Sequence, residues 1–533
     1  MMTSENNRGT EAEIHRKKKK PTVFLALLPV ISLALFIGGG YIGFDLPVEP
    51  MIIAAAAVAA CVAKYLGYSW DEMIESVAEK TAKAWPALLI LLTVGLLIGA
   101  WMISGTIPYL VYWGLAIIDP RWLALVALLG TAVVSLCTGT SWGSAGTIGV
   151  AFMGIAIGLG ADLPMIAGAV VSGAYFGDKF SPLSDSTNIA AMITRVPLFT
   201  HIKNLTWTTG SALIIGVIVF AIVGLKGTAA GVDTSAVQET LDQLAAGFHL
   251  TPWLLVPPIV VLVGAALRFP TIPVMMAGVA LGLFNTFVFQ KSTIADAFTA
   301  LVKGFNLDMI QRPEWASLTP SDDMVTLLER GGMNSMLGTL AICFCALAFA
   351  GIMGVSHSLD YLIEKLLHRV KSRFGLVAST IGVGLGTISV TCNGQISVIM
   401  PGEVLRPAYV RRGYHPMTLG RTLEDSVTVT ETLFPWTAAG AYMAATLGVE
   451  TLQYVPWAIV NWSGMIVALI LAATGWGIQM LSREEQLRML EEDDMNESHI
   501  IRYGDGTPGP SAADPEAALV EPAGGTGANS VEK

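Results

Sequence analysis

No Asp, Glu, Lys or Arg occurs in residues 84–118, 122–161, 204–225, 269–290, 375–402 or 451–482. A helix crosses the hydrocarbon of a bilayer in about 20 apolar residues. Each run is therefore long enough to span, and the longest is long enough for two passes. With the shorter apolar stretches, the pattern predicts an all-α polytopic membrane protein of roughly eleven or twelve hydrophobic segments. Residues 23–44 read as a retained first helix, because the run is long, ends in GGGYIGF and has no clean small-x-small cleavage site. SWDEMIESVAEKTAKAW (69–85) and TIADAFTALVKGF (293–305) read as interfacial amphipathic connectors.

The pattern occurs twice. LLIGAWMISGTIPYL (96–110) lines up with AFAGIMGVSHSLDYL (348–362) at an offset of about 252 residues. At nearly the same offset TGTSWGSAGTIG (138–149) meets TCNGQISVIMPG (391–402). After a small length change GDKFSPLSDSTNIAA (177–191) meets EDSVTVTETLFPWTAA (424–439). Paired repeats with matching interruptions are a signature of secondary transporters, and inversion of one repeat is the commoner design for this pattern. The expected organisation is a basic cytoplasmic segment (1–22), membrane repeat 1 (23–225), a linker (226–250), membrane repeat 2 (251–481) and an acidic, disordered cytoplasmic tail (482–533).

The polar interruptions carry the candidate chemistry. LCTGTSWGSAGTIG lies mid-way in the charge-free run 122–161. One straight helix over that run would be about 60 Å long, about twice the hydrocarbon thickness. The chain must turn back, which predicts a re-entrant hairpin whose tip offers Thr140, Ser141 and Ser144, with Asn393 and Gln395 as counterparts in the second copy. GDKFSPLSDSTN (177–188) has flanks too short to span alone, so it reads as the polar centre of a discontinuous helix broken at Pro182. Its unwound carbonyls, the carboxylates of Asp178 and Asp185, and the neutral oxygens of Ser181, Ser184, Thr187 and Asn188 suit a hard cation such as Na+. The second copy supplies Glu424, Asp425, Thr428 and Glu431, and Asp425 is preferred because it aligns with Asp178. A desolvated carboxylate takes up a proton or a cation rather than stay empty, the minimal device for exchanging Na+ against H+. Lys179 either pairs with Asp178 or snorkels to the cytoplasmic side. Arg421 precedes Glu424 by three residues, the spacing of a helical ion pair.

Composition agrees with this picture. The chain is 53% hydrophobic and 14% charged, against about 25% charged in soluble domains. Its net charge of −10 says little about partners, because acid collects in SREEQLRMLEEDDMNESH (482–499). HRKKKK (15–20) before the first helix puts the N-terminus in the cytoplasm of a bacterial-type cell (inner) membrane. The five cysteines lack zinc or disulfide spacing, and no phosphate loop or H-E-x-x-H motif occurs. The expectation is a multi-pass transporter rather than an enzyme, without cofactor, moving Na+ and H+. Its partner is the lipid bilayer, nucleic acid is excluded, and a homo-oligomer, as a dimer, is the expected assembly.

With GDKFSPLSDSTN, GTSWGSAGT and GR-x-x-ED-x-x-T…PW, the sequence resembles the NhaC family of Na+/H+ antiporters, part of the ion transporter superfamily, from the first helix to about Gly477. The resemblance implies exchange of external H+ for internal Na+ on a two-repeat fold with re-entrant hairpins. Ser186 stands where the family often has threonine, and Thr437 where asparagine is frequent. Some similar proteins look like sodium-coupled carriers, so a Na+-coupled organic-anion (malate/lactate-type) or amino-acid transporter on the same scaffold is the second reading. It requires a clamp for a substrate carboxylate, which Lys179 and the hairpin tips are placed to supply.

Overall fold

A computed structural model of the chain describes residues 18–44, 46–226, 234–367, 370, 372–493 and 495. The basic segment before residue 18, residues 227–233 of the linker and the tail beyond 495 lie outside the described residues. Among the described residues the only β-type pairing is an isolated antiparallel bridge between Tyr414 and Met480. Among the described residues nine helices are long and apolar enough to cross a membrane, or up to eleven if two bent pairs each count as one span. The protein is thus an all-α polytopic membrane protein.

The stretch 69–85 is not a separate connector. It forms the first half of a continuous helix of 34 residues, Trp70–Ile103, which passes through Pro86. Ser69 and Glu72 start it with a reciprocal capping box. Such a helix is about 50 Å long and outruns the hydrocarbon, so its first turns project beyond it. There Glu72 meets Lys18 at 2.6 Å.

Two helical hairpins turn in the same way. Helix Leu123–Thr138 ends at Gly139 (φ 68°), followed by extended Thr140 (φ −143°, ψ 118°). Helix Arg373–Thr391 ends at Cys392 (φ 54°), followed by extended Asn393 (φ −138°, ψ 117°). In both, the extended residue caps the returning helix: Thr140 Oγ1 accepts from Gly143 N at 3.2 Å, and Asn393 Oδ1 accepts from Ile396 N at 3.0 Å. A hydroxyl pair closes each tip, Thr138 with Ser144 and Thr391 with Ser397. Glycine suits the left-handed turn at 139; Gly143 and Gly146 lie in helical backbone beyond it.

Helix Leu163–Phe180 lies directly against the first hairpin. A Cβ added at Gly173 would stand 2.2 Å from Leu128 O, and one at Gly177 2.2 Å from Ala132 O. This G-x-x-x-G pair lets the two backbones touch, the usual basis of tight helix packing in membranes. Around them one large apolar core includes Leu91, Trp101, Leu128 and Val170. A second core, with Leu376, Val383, Leu405 and Tyr409, holds the second hairpin.

The start of the acidic tail departs from its expected solvated state. Residues Arg483–Glu492 form a helix opened by a Ser482/Glu485 capping box. Met489 and Leu490 are buried beside Val410, and Gln486 Nε2 donates to Val410 O at 2.9 Å. Beyond the helix, Asp493 is bound by Arg406 and lies 3.3 Å from Arg195. Asp493 and, more loosely, Glu492 thus meet arginines from distant elements, whereas Glu484, Glu485 and Glu491 stay exposed. Leu490→Ala is expected to weaken the docking by about 2 kcal/mol or more, measured as faster hydrogen exchange over 483–493.

Candidate functional site

Helix Leu163–Phe180 stops at Ser181, and Asp185–Thr194 begins after a four-residue break capped by Ser184. Asp178 lies in the last turn before the break and is half-buried. The hydroxyl of Ser184, in the break, and that of Ser141, at the first hairpin tip, lie against its carboxyl. The tip itself presses on the break: a Cβ at Gly139 would meet Leu183 at 2.5 Å. The helical segment opening at Ser141 therefore directs its N-terminal end toward Asp178, where unsatisfied N–H groups favour negative charge.

A corresponding arrangement occurs in the other half. Glu431, also half-buried, stands at the second hairpin tip. A Cβ at Gly394 would lie 2.3 Å from its Oε2, and the Gly394 backbone N–H donates to it. Tyr175, one turn before Asp178 on the same helix, donates its hydroxyl to Glu431 Oε1 at 2.9 Å. Two carboxyls, one from each half of the chain, thus sit at the helix starts of two hairpins, and the helix that carries Asp178 also supplies the tyrosine bonded to Glu431.

The remaining candidates fall elsewhere. Asn188 Nδ2 donates to Pro182 O at 3.0 Å and Ser184 O at 2.7 Å, so each of these unwound carbonyls already accepts one hydrogen bond. Ser181 Oγ accepts from Leu183 N, and Thr187 Oγ1 donates to Lys179 O. Asp185 opens its helix at an exposed position. Thr140, Ser144 and Asn393 serve the backbone of their own tips, and Gln395 is exposed.

Glu424 and Asp425 lie in a π-helical turn, 424–428, and are completely buried. Glu424 pairs with His201 Nε2 at 3.2 Å and accepts from Thr428 Oγ1 at 3.0 Å. The expected Arg421–Glu424 pair is replaced: Arg421 donates to Asn204 Oδ1 and Gly477 O. Lys179 takes neither expected course. Its Nζ lies 2.8 Å from Asp425 Oδ1, with both side chains at most 2% exposed.

Tyr175, His201 and Thr209 are site neighbours that sequence reasoning did not single out. Tyr175 was within reach, since it lies three residues before Asp178, on one helix face, in a charge-free span. His201 and Thr209 carry no such local signal.

These features define the class: a polytopic helical membrane protein with paired carboxyls at helix ends inside its bundle. The family model described as the Na+/H+ antiporter family matches residues 173–476, and the chain belongs to that family. It is 49% identical to an uncharacterized Na+/H+ antiporter of Haemophilus influenzae, over 88% of this chain and 99% of the relative. It is 35% identical to the Na+/H+ antiporter NhaC of Alkalihalophilus pseudofirmus, over 86% and 97%. It is 32% identical to the malate-2H+/Na+-lactate antiporter of Bacillus subtilis, over 85% and 93%.

Proposed function

We propose that the protein exchanges Na+ for H+ across the cell membrane by alternating access, with Asp178 and Glu431 as the carboxylates that take Na+ or H+ in competition. The observation that carries this reading is their placement: half-buried, one from each half of the chain, each at the start of a hairpin helix. Inside a membrane protein an empty carboxylate pair is disfavoured, so each conformational passage is made with a proton or a cation bound. Na+ finds hard oxygens in the two carboxylates and in the hydroxyls of Ser141, Ser184 and Tyr175. The names of the family and of the two more similar relatives support the exchange itself. The shared left-handed and extended residues at the two tips support a repeat origin for the two halves; in this reading the repeats are inverted, and the basic HRKKKK segment keeps the N-terminus in the cytoplasm.

A carrier of organic anions needs a cation free to hold the substrate carboxylate. Lys179, the group nearest to that role in sequence, is engaged by Asp425, so the Na+/H+ reading is preferred. In everted vesicles with a preset pH gradient, Na+ alone is expected to collapse the gradient. Collapse only when malate, lactate or an amino acid accompanies Na+ would reverse the preference. Tyr175→Phe removes one donor to Glu431 and leaves both carboxyls in place. Loss of a hydrogen bond to a charged group is worth about 1.5–3 kcal/mol, so a rise in the KM for Na+ of about tenfold or more is expected in the same assay.

A further inference from the structure

Lys179 follows Asp178 directly, so the two side chains leave the helix about 100° apart. Asp178 faces the hairpin tip; Lys179 enters the contact between the two halves of the chain. There its ammonium meets Asp425 at 2.8 Å and donates to Thr209 Oγ1 at 3.2 Å, while Thr209 in turn donates to Asp425 Oδ1 at 3.3 Å. The pair is held between two π-helical turns, 206–210 and 424–428. Helix Ile459–Thr474 presents Gly464 to it, where an added Cβ would stand 3.3 Å from Asp425 Oδ1. The space for this carboxylate is therefore built in.

Stability alone is a poor account of such a pair. Apolar side chains of similar volume often serve as well or better in a buried site, and Asp425 Oδ2 remains buried without a hydrogen-bond partner. Asp178, by contrast, lies within electrostatic reach of Asp185, Glu424, Glu431 and Tyr175, all acidic or neutral groups. The adjacent ammonium, if released, sits on a long flexible stem that can bring it toward the carboxylate of the preceding residue.

We infer that Asp425 is a positioning residue: it holds the Lys179 ammonium away from Asp178, so that the ion site stays open to Na+ instead of being filled by a tethered cation. This rests on the reading of Asp178 as an ion-site carboxylate, and it gives Asp425 a part other than that of ion ligand.

Three variants test it by Na+-dependent proton flux in proteoliposomes, each first checked for a monodisperse profile in detergent. Asp425→Asn frees the ammonium and is expected to raise the KM for Na+ at least about tenfold, the scale on which a nearby opposite charge acts, with the maximal rate largely kept. Lys179→Gln with Asp425→Asn removes the competitor and is expected to return KM to within about threefold of the parent value. Lys179→Gln alone is expected to keep a near-parental KM as well, and it decides the matter if Asp425→Asn does not fold. A double variant as impaired as Asp425→Asn would make Asp425 an ion ligand and overturn the inference. So would an unchanged KM in Asp425→Asn, or a large rise in Lys179→Gln. Failure of the parent protein to exchange Na+ for H+ would refute the functional reading instead, and is seen before any variant is made.

Discussion

Asp178→Asn is expected to reach the membrane in normal amounts and to show no Na+-dependent proton flux. The amide has nearly the volume of the carboxyl and can still bond to the hydroxyls of Ser141 and Ser184, so the local fold has little reason to change. It can neither ionise nor exchange a proton, and the competition at that position is lost. Flux should fall at least about a hundredfold, the scale of a removed proton-transfer group, while Glu431 keeps its bonds to Tyr175 and Gly394. Everted vesicles with a pH-sensitive dye report the result. Flux within a few-fold of the parent would remove Asp178 from the site and with it the proposed mechanism.

The second large effect concerns folding. Gly177→Leu places a branched side chain where even a Cβ would stand 2.2 Å from Ala132 O and 2.5 Å from Leu136 N. Both obstacles are backbone atoms, which no side-chain rotation relieves. Overpacking in less constrained cores costs about 1–3 kcal/mol, and here helix Leu163–Phe180 must leave the hairpin arm altogether. The expected outcome is little or no monodisperse protein after detergent extraction. Gly382→Ala is the control: it lies within helix Arg373–Thr391 with open space around it, and alanine is the better helix former. A normal elution profile for Gly177→Leu would show that the close contact is dispensable.

The fold was legible wherever the signal is local. Charge-free runs mark the spans, and a run twice the membrane thickness marks the turn between helix Leu123–Thr138 and the helical segment that opens at Ser141. Gly139 announces its turn, although Cys392 makes the same turn without glycine. Polar residues in apolar surroundings brought Asp178 and Glu431 among the candidates. Which residue lies at the second tip was not legible, because sequence alignment pairs Asp178 with Asp425, whereas in space it is Glu431 that stands beside Gly394. Occupancy was not legible either. Which carbonyls Asn188 covers, and that Lys179 reaches a partner 246 positions away, are decided by tertiary packing. The tail misled for the same reason: an acidic run reads as solvated until the arginines that meet it, Arg195 and Arg406, are placed beside it.

That docked tail has a practical consequence for anyone shortening the protein. Ending the chain at Ser482, where the hydrophobic sequence gives out, would strip the cover from Val410 and leave the Arg406 guanidinium, 4% exposed, without its carboxylate partner. An epitope tag or reporter fused there would act on the ends of helices Asp185–Thr194 and Gly394–Arg411 together, since Arg195 caps the first and Arg406 belongs to the second. The safe boundary lies beyond Met495, and altered transport in shorter versions would report the missing clasp rather than the ion site.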